Sequence, residues 1–380
     1  MEKIESQVQL LLRGEVAADD PIQCDFSLAT QNEFAGKIRS LKRDIPFLTS
    51  QPLYFASAVS KGVAPVVTDQ FRPVLMNNVT YIVCAVIIND DDEVLMVQEA
   101  KSSYSGTWYL PAGRMEPGET IEEAAEREVL EETGLQFRAN SILIVECAHG
   151  SWVRFVLMGD VIGWSEFRHR TIKKLQFYFV DAFILGGKLK TTAEADAESL
   201  QAMWVANVPG KTLRSNDILP LIDHGFVYKR TRENSPWHEP FLPVLYPHSR
   251  QYMRTIIIVR KRVNNNVHVL VSEKSSPHLP ICELSPAHSV YSTLKKFMQN
   301  TFPVALPPHK PHGILALEHC GKPTAENDGF CLTLLISVRQ ALEDVRLIDG
   351  FTWLEVNEAI GANLLQRMDK NMTVMLHVLR

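Results

Sequence analysis

The sequence predicts an α/β fold, a mixed β-sheet sandwiched between helices, and it predicts that fold twice. Three observations lead there. Two β-branched runs, Thr80–Ile88 and Glu93–Gln98, flank the turn signal Asn89–Asp92 and read as a strand hairpin. A loop then enters a helix that begins with the capping box Thr120/Glu123 and ends at Gly134, where a left-handed cap belongs. The order of strand, asparagine turn and strand returns at Thr255–Val259, Asn264–Asn266 and Val267–Ser272.

Composition sets outer limits. The chain has 380 residues, 22% of them charged, and a net charge of −5. That length suits two or three globular domains. The negative balance argues against a nucleic-acid polymer as partner but leaves room for one small anionic nucleotide held through a metal ion. No apolar run reaches the length of a membrane span, and Met1–Ser6 lacks the apolar core of a signal peptide. Cys24, Cys84, Cys147, Cys282, Cys320 and Cys331 form no CxxC pair and read as free thiols. The expected location is therefore the cytoplasm, or the nucleus.

Taken in order, residues 1–77 read as an N-terminal extension, partly disordered, with helical spacing only at Ile4–Leu12. Residues 78–235 form the first unit. After the capped helix, Ser141–Cys147 and Trp152–Leu157 read as strands, Met203–Val205 as another and Leu213–Ile222 as a helix. The basic and aromatic stretch around Trp164–Lys174 interrupts a hairpin and marks an insertion at about 160–182. The proline-bearing residues 236–249 read as a linker. Residues 250–380 form the second unit.

One stretch cannot be explained by packing. Between Gly113 and Leu135 eight residues are glutamate, and only Arg114 and Arg127 are basic. Like charges at i, i+3 and i+4 on a helix repel by roughly 0.2–0.5 kcal/mol per pair. A hard divalent cation turns that repulsion into ligation. Glu128, Glu131 and Glu132 have this spacing and lie on one side of one helical turn. Glu119 and Arg127 are suited to pair and to hold the loop on the helix.

The stretch also fits the pattern Gly-x5-Glu-x7-Arg-Glu-U-x-Glu-Glu-x-Gly-U at Gly113, Glu119, Arg127, Glu128, Val129, Glu131, Glu132, Gly134 and Leu135, U being a bulky aliphatic. The chain is thereby identified as a member of the Nudix hydrolase family. Trp108–Thr120, Ser151–Val156 and Glu194–Ala202 further resemble the MutT-related members that act on 8-oxo-dGDP.

The resemblance implies Mg²⁺, or Mn²⁺, held by Glu128, Glu131, Glu132, the carbonyl of Ala112 and a downstream carboxylate. Glu198 ranks first for that last place, ahead of Glu194 and Asp196. Glu128 is a ligand or the general base, and Arg127 and Glu119 complete the catalytic set. Leu95 and Leu110 are expected to hold the base, with Trp108, Trp152 or Phe155 stacking on it and Arg114 contacting substrate. The implied substrate is a small-molecule nucleoside diphosphate, 8-oxo-dGDP, cleaved to 8-oxo-dGMP and phosphate. ADP-ribose, another nucleoside diphosphate derivative, or a non-catalytic interaction role stand as alternatives.

Aligned with itself, the chain sets Leu110-Pro111 opposite Leu279-Pro280 and Arg127–Glu132 opposite Lys296–Thr301. Residues 250–380 thus resemble a second, degenerate Nudix-like domain. Phe297, Asn300 and Thr301 replace the carboxylates, and Pro303 stands for Gly134. This unit is expected to bind no catalytic metal, and its protein partner is unknown.

Overall fold

A computed structural model of the chain describes residues 2–16, 22–35, 68–162, 187–232 and 238–378. Most of the expected 160–182 insertion lies outside these residues. The first unit is built on β1 (Thr80–Val86), which the sequence makes apolar on both faces, as a central strand requires. It continues through β2 (Val94–Glu99), β3 (Trp108–Tyr109), β4 (Ala112–Arg114), α2 (Ile121–Thr133), β5 (Phe137–His149), β6 (Trp152–Val161), β7 (Ser199–Val205) and α3 (Ile218–Thr231); α1 (Glu2–Leu12) precedes it. The second unit comprises β8 (His248–Arg260), β9 (Val267–Ser272), β10 (Ile281–Glu283), α4 (Val290–Thr301), β11 (His309–Glu318), β12 (Asp328–Ala341), β13 (Phe351–Glu355) and α5 (Glu358–Gln366). A last strand, β14, spans Met375–Val378.

The repeat is visible in the pairing. β1 runs parallel to β6 and antiparallel to β4, while β5 is antiparallel to β6 and β2 to β7. In the second unit β8 runs parallel to β12 and antiparallel to β10, while β11 is antiparallel to β12 and β9 to β13. Helices cover both faces of the first sheet. Ile121, Ala124, Ala125 and Val129 of α2 enter the core on one side, and Ile218, Leu221 and Ile222 of α3 enter it on the other. Each large apolar side chain so buried contributes about 1.5–3 kcal/mol. Gly225 lets α3 approach closely, because a Cβ there would lie 2.6 Å from Val86 Cγ1.

α3 starts later than the periodicity of Leu213–Ile222 predicts. Leu213 is drawn into a bridge with Trp108, whose backbone bonds Thr212 and Arg214. Tertiary pairing outweighs helical spacing there. The linker is also firmer than its prolines imply. Ile142 N–H donates to Phe241 and Val244 N–H to Leu317, so the segment is stitched to both units.

The two units share one core. Tyr81, Phe155 and Phe330 form a cluster of rings with centroids 5.6–6.4 Å apart. The Tyr81 hydroxyl donates to the Asp328 carbonyl at 2.9 Å and accepts from Gln251 at 2.8 Å. The chain also crosses between them, for β14 adds to the first sheet, parallel to β5. Among the described residues no helix is long and apolar enough to cross a membrane.

The first residues pack on the second unit, not on the one that follows them. α1 buries Ile4, Val8 and Leu11 with residues of α5, β8 and β9. Residues 22–26 lie along β10, where Asp25 and Phe26 N–H both donate to the Ile281 carbonyl. Asp25, only 4% exposed, accepts from Ser272 Oγ at 2.5 Å and from Ile281 N–H at 2.9 Å, and its other contact is His278 Nε2 at 3.1 Å.

Ile281 is the counterpart of Ala112, whose N–H donates to Glu132 Oε2, also at 2.9 Å. In the second unit the glutamate has become Thr301, which turns its hydroxyl back to the Phe297 carbonyl. The N–H it would have served is met by Asp25. Asp25→Ala should therefore lower the unfolding free energy by about 2–4 kcal/mol, because buried donors lose their acceptor. Urea unfolding of the full chain measures this, and a change below 0.5 kcal/mol would show that water replaces the carboxylate.

Candidate active site

The site lies where β4, the loop after it, the second half of α2 and Glu198, just before β7, meet. The sequence folds this way for local reasons. Thr120 Oγ1 accepts from Glu123 N–H while Glu123 accepts from Thr120 N–H, which closes the capping box; such a cap is worth about 1 kcal/mol. Gly134, at φ 75°, ends α2 in the left-handed conformation that glycine adopts freely. Arg127 then ties loop to helix. It grips Glu119 with Nε at 2.5 Å and Nη2 at 2.9 Å, and Nη2 also donates to the Arg114 carbonyl at 2.9 Å.

The same guanidinium holds the carboxylates. Its Nη1 lies 2.8 Å from Glu128 Oε1 and 3.2 Å from Glu131 Oε2. Glu128, Glu131 and Glu198 each bring a carboxylate oxygen to within 4.8 Å of the others. Burial raises the Glu128 carboxyl above its ordinary value, against the pull of Arg127. Glu132 lies deeper, and burial pushes its carboxyl up to about 8 despite the bond from Ala112 N–H.

Gly113 makes the arrangement sterically possible. A Cβ there would stand 2.0 Å from the Glu128 carboxyl carbon. In the second unit Cys282 and Phe297 stand at the positions of Gly113 and Glu128, so neither the glycine nor the carboxylate it accommodates is present there.

This donor set fits a divalent cation. It consists of hard oxygens held close together with a single guanidinium to balance them. Of the downstream acids, Glu198 is the one that reaches the cluster. Asp196 is engaged by Lys190 and by the N–H groups of Glu198 and Ser199. Glu194 caps Thr191 and pairs with Lys188.

The second unit supports the loop from outside. A Cβ on Gly321 would meet the Glu119 carbonyl at 2.7 Å, and Lys322 Nζ stands 3.8 Å from Glu123.

The residues expected to bind the base are not gathered in one place. Leu95 and Phe155, at 0% and 1% exposure, belong to the core on the α2 face, and Leu110, at 1%, to the core on the α3 face. Both faces of these strands are covered, so neither side of the alternation leads outward. Arg114 is exposed and engaged through its carbonyl. Trp152 is half-buried, 5.9 Å beneath the Arg154 guanidinium.

Arg154 instead leads to a polar cluster that the motif does not contain. Its Nε donates to Glu146 at 2.6 Å, and its Nη1 lies 2.8 Å from both Tyr109 Oη and Asp217 Oδ2. Tyr109 donates to Asp217 at 2.9 Å. Arg214 lies 4.9 Å over the Tyr109 ring and pairs with Glu99 at 2.6 Å. The available sequence signal was one arginine in the otherwise apolar run Trp152–Met158.

The NUDIX domain model matches residues 79–207. The 8-oxo-dGDP phosphatase NUDT18 of Danio rerio is 34% identical over 316 residues, covering 80% of this chain and 89% of its own. That of Homo sapiens is 36% identical over 314 residues, covering 79% and 87%. A NUDIX hydrolase from Nitrosomonas europaea of known structure is 24% identical, covering 40% of this chain and 90% of its own at a TM-score of 0.29. With its box, its fold and relatives that align over most of their length, the chain belongs to the Nudix hydrolase family, whose members work with divalent metal ions.

Proposed function

We propose that the chain hydrolyses 8-oxo-dGDP to 8-oxo-dGMP and phosphate with Mg²⁺. The observation that carries this reading is the convergence of Glu128, Glu131 and Glu198 beside the Arg127-held loop. The names of the relatives point to the same substrate. When bound, Mg²⁺ neutralises charge on the diphosphate and lowers the pKa of the attacking water.

The chain's own groups do the rest. Glu128, Glu131 and Glu198 would hold the cation, with Glu132 beside them. Glu128 is assigned as ligand or as the general base that accepts the proton of the attacking water. Water adds to phosphorus as the bridging P–O bond breaks, and inorganic phosphate leaves. Glu132 fixes the backbone of Ala112 and so the edge of the site.

In this reading the oxidised base is recognised at the Arg154–Tyr109–Asp217 cluster. Oxidation at C8 gives a purine an N7–H donor beside a carbonyl acceptor. An aspartate next to arginines offers the complementary pair. Asp217 has a side chain 39% exposed, which leaves it open to a ligand.

Phosphate release from 8-oxo-dGDP, dGDP and ADP-ribose tests the substrate. The first should be preferred, EDTA should abolish the reaction and Mg²⁺ should restore it. Turnover of ADP-ribose alone would replace the substrate assignment, and no turnover at all would favour an interaction role. Glu131→Gln should lower kcat/KM by about 10²–10⁴, since a catalytic cation is worth several kcal/mol and each 1.36 kcal/mol is tenfold.

Gly113→Ala should displace the flexible Glu128 carboxylate rather than unfold the chain. It should cost about 10² in kcat with an unchanged thermal midpoint. Tyr109→Phe should narrow the preference for 8-oxo-dGDP over dGDP by roughly 3–10-fold, the worth of one hydrogen bond. An unchanged ratio would move base recognition elsewhere.

A further inference from the structure

The second unit has lost its carboxylates, yet one of its faces gathers the opposite charge. Beyond the end of α5, three adjacent strands present side chains to the same side. Lys310 of β11 stands opposite Ser337 of β12, and Ser337 stands opposite Ile258 of β8. The pairing shifts between Ser337 and Ala341, and across that irregularity Arg339 and Arg260 line the same hollow. His312 does too, with Nε2 2.7 Å from Ser337 Oγ. These side chains and Lys261 surround a concave pocket of about 530 Å³. Ile258, Leu365 and Met368 add apolar lining.

The charge around it is only partly compensated, by Glu343, which accepts from Arg262 N–H, and by Asp344. Among the described residues Arg260, Lys261, Lys310 and Arg339 have no ion pair and no side-chain hydrogen bond. Arg262, on the rim, is paired with Asp344. Four such cations around one hollow repel one another, in a chain whose net charge is −5. The pocket does not descend from the catalytic cleft. The counterpart of that cleft lies near β10, where Asp25 sits, whereas Arg260 ends β8 at the turn into β9.

We infer that this pocket binds a small polyphosphorylated anion that also carries a base or another flat apolar group. Lysine and arginine heads around the rim match phosphate oxygens, and the arginines can do so in pairs of bonds. The apolar lining of Leu365 and Met368 matches the uncharged part. The volume falls in the range of about 300–1,000 Å³ usual for small ligands. A nucleic-acid strand is a poorer fit, because the cations are confined to one hollow instead of following a track.

Calorimetry on the full chain in EDTA tests this, with ADP and inorganic tripolyphosphate as probes. Without metal the clustered carboxylates of the catalytic site repel both. ADP should bind at one site, more weakly at high salt, and more tightly than tripolyphosphate. The triple variant Arg260→Gln/Lys310→Gln/Arg339→Gln should bind at least tenfold more weakly while hydrolysing substrate normally. Should that variant unfold early, Lys310→Gln alone should weaken binding at least threefold. Equal affinity in wild type and either folded variant would overturn the inference, as would no binding at millimolar ADP. ADP binding lost in Glu131→Gln but kept in the triple variant would place the ligand in the catalytic cleft instead. Tripolyphosphate binding as tightly as ADP would remove the apolar group from the assignment.

Discussion

One guanidinium holds the catalytic corner together. Arg127 makes bonds to Glu119, Glu128, Glu131 and the Arg114 carbonyl, so a loop, a strand end and a helix face meet at one planar group. A lysine could balance the charge but not satisfy this geometry, since it lacks the flat fork of donors. The carboxylates that repel one another along α2 are kept in register by a single counter-charge. That leaves their other oxygens free for a cation. Everything beneath, the capping box, the left-handed Gly134 and the missing side chain at Gly113, serves to bring the helix to that fork.

The second unit shows a similar frame without those carboxylates. Phe297, at the place of Glu128, becomes a core ring packed between Phe26 and Phe351. Thr301, at the place of Glu132, turns into its own helix. One requirement survives the loss, because a backbone N–H at the head of the β4-like strand still needs an acceptor. Asp25 supplies it from a distant part of the chain. The carboxylate at this position is thus needed by the backbone in both units, whereas those at the places of Glu128 and Glu131 are not.

What could be read from the sequence was what is local. The helix ends, the Glu119–Arg127 pair and the i, i+3, i+4 carboxylates follow from spacing along one element, and the order of elements exposed the repeat. What could not be read is assembled across elements. Arg154, Glu146, Tyr109 and Asp217 come from β6, β5, β3 and the head of α3, with no fixed spacing to reveal them. Leu95 and Phe155 are expected near the base from the resemblance alone, and their burial, at 0% and 1% exposure, follows from how the strands are covered, which position in a motif does not reveal. Residues 22–26 carry no period of their own, since their conformation is dictated by β10.

β14 completes the first sheet by pairing with β5, although more than two hundred residues separate them. During synthesis β5 leaves the ribosome long before its neighbour. At about 5–20 residues per second the gap is roughly 10–45 s. Through that interval β5 offers an unpaired edge with apolar residues on both faces, the kind of template on which nascent chains associate. The hydrolase half, though encoded first, is the half that must wait, and its last strand arrives only when the second unit has been made.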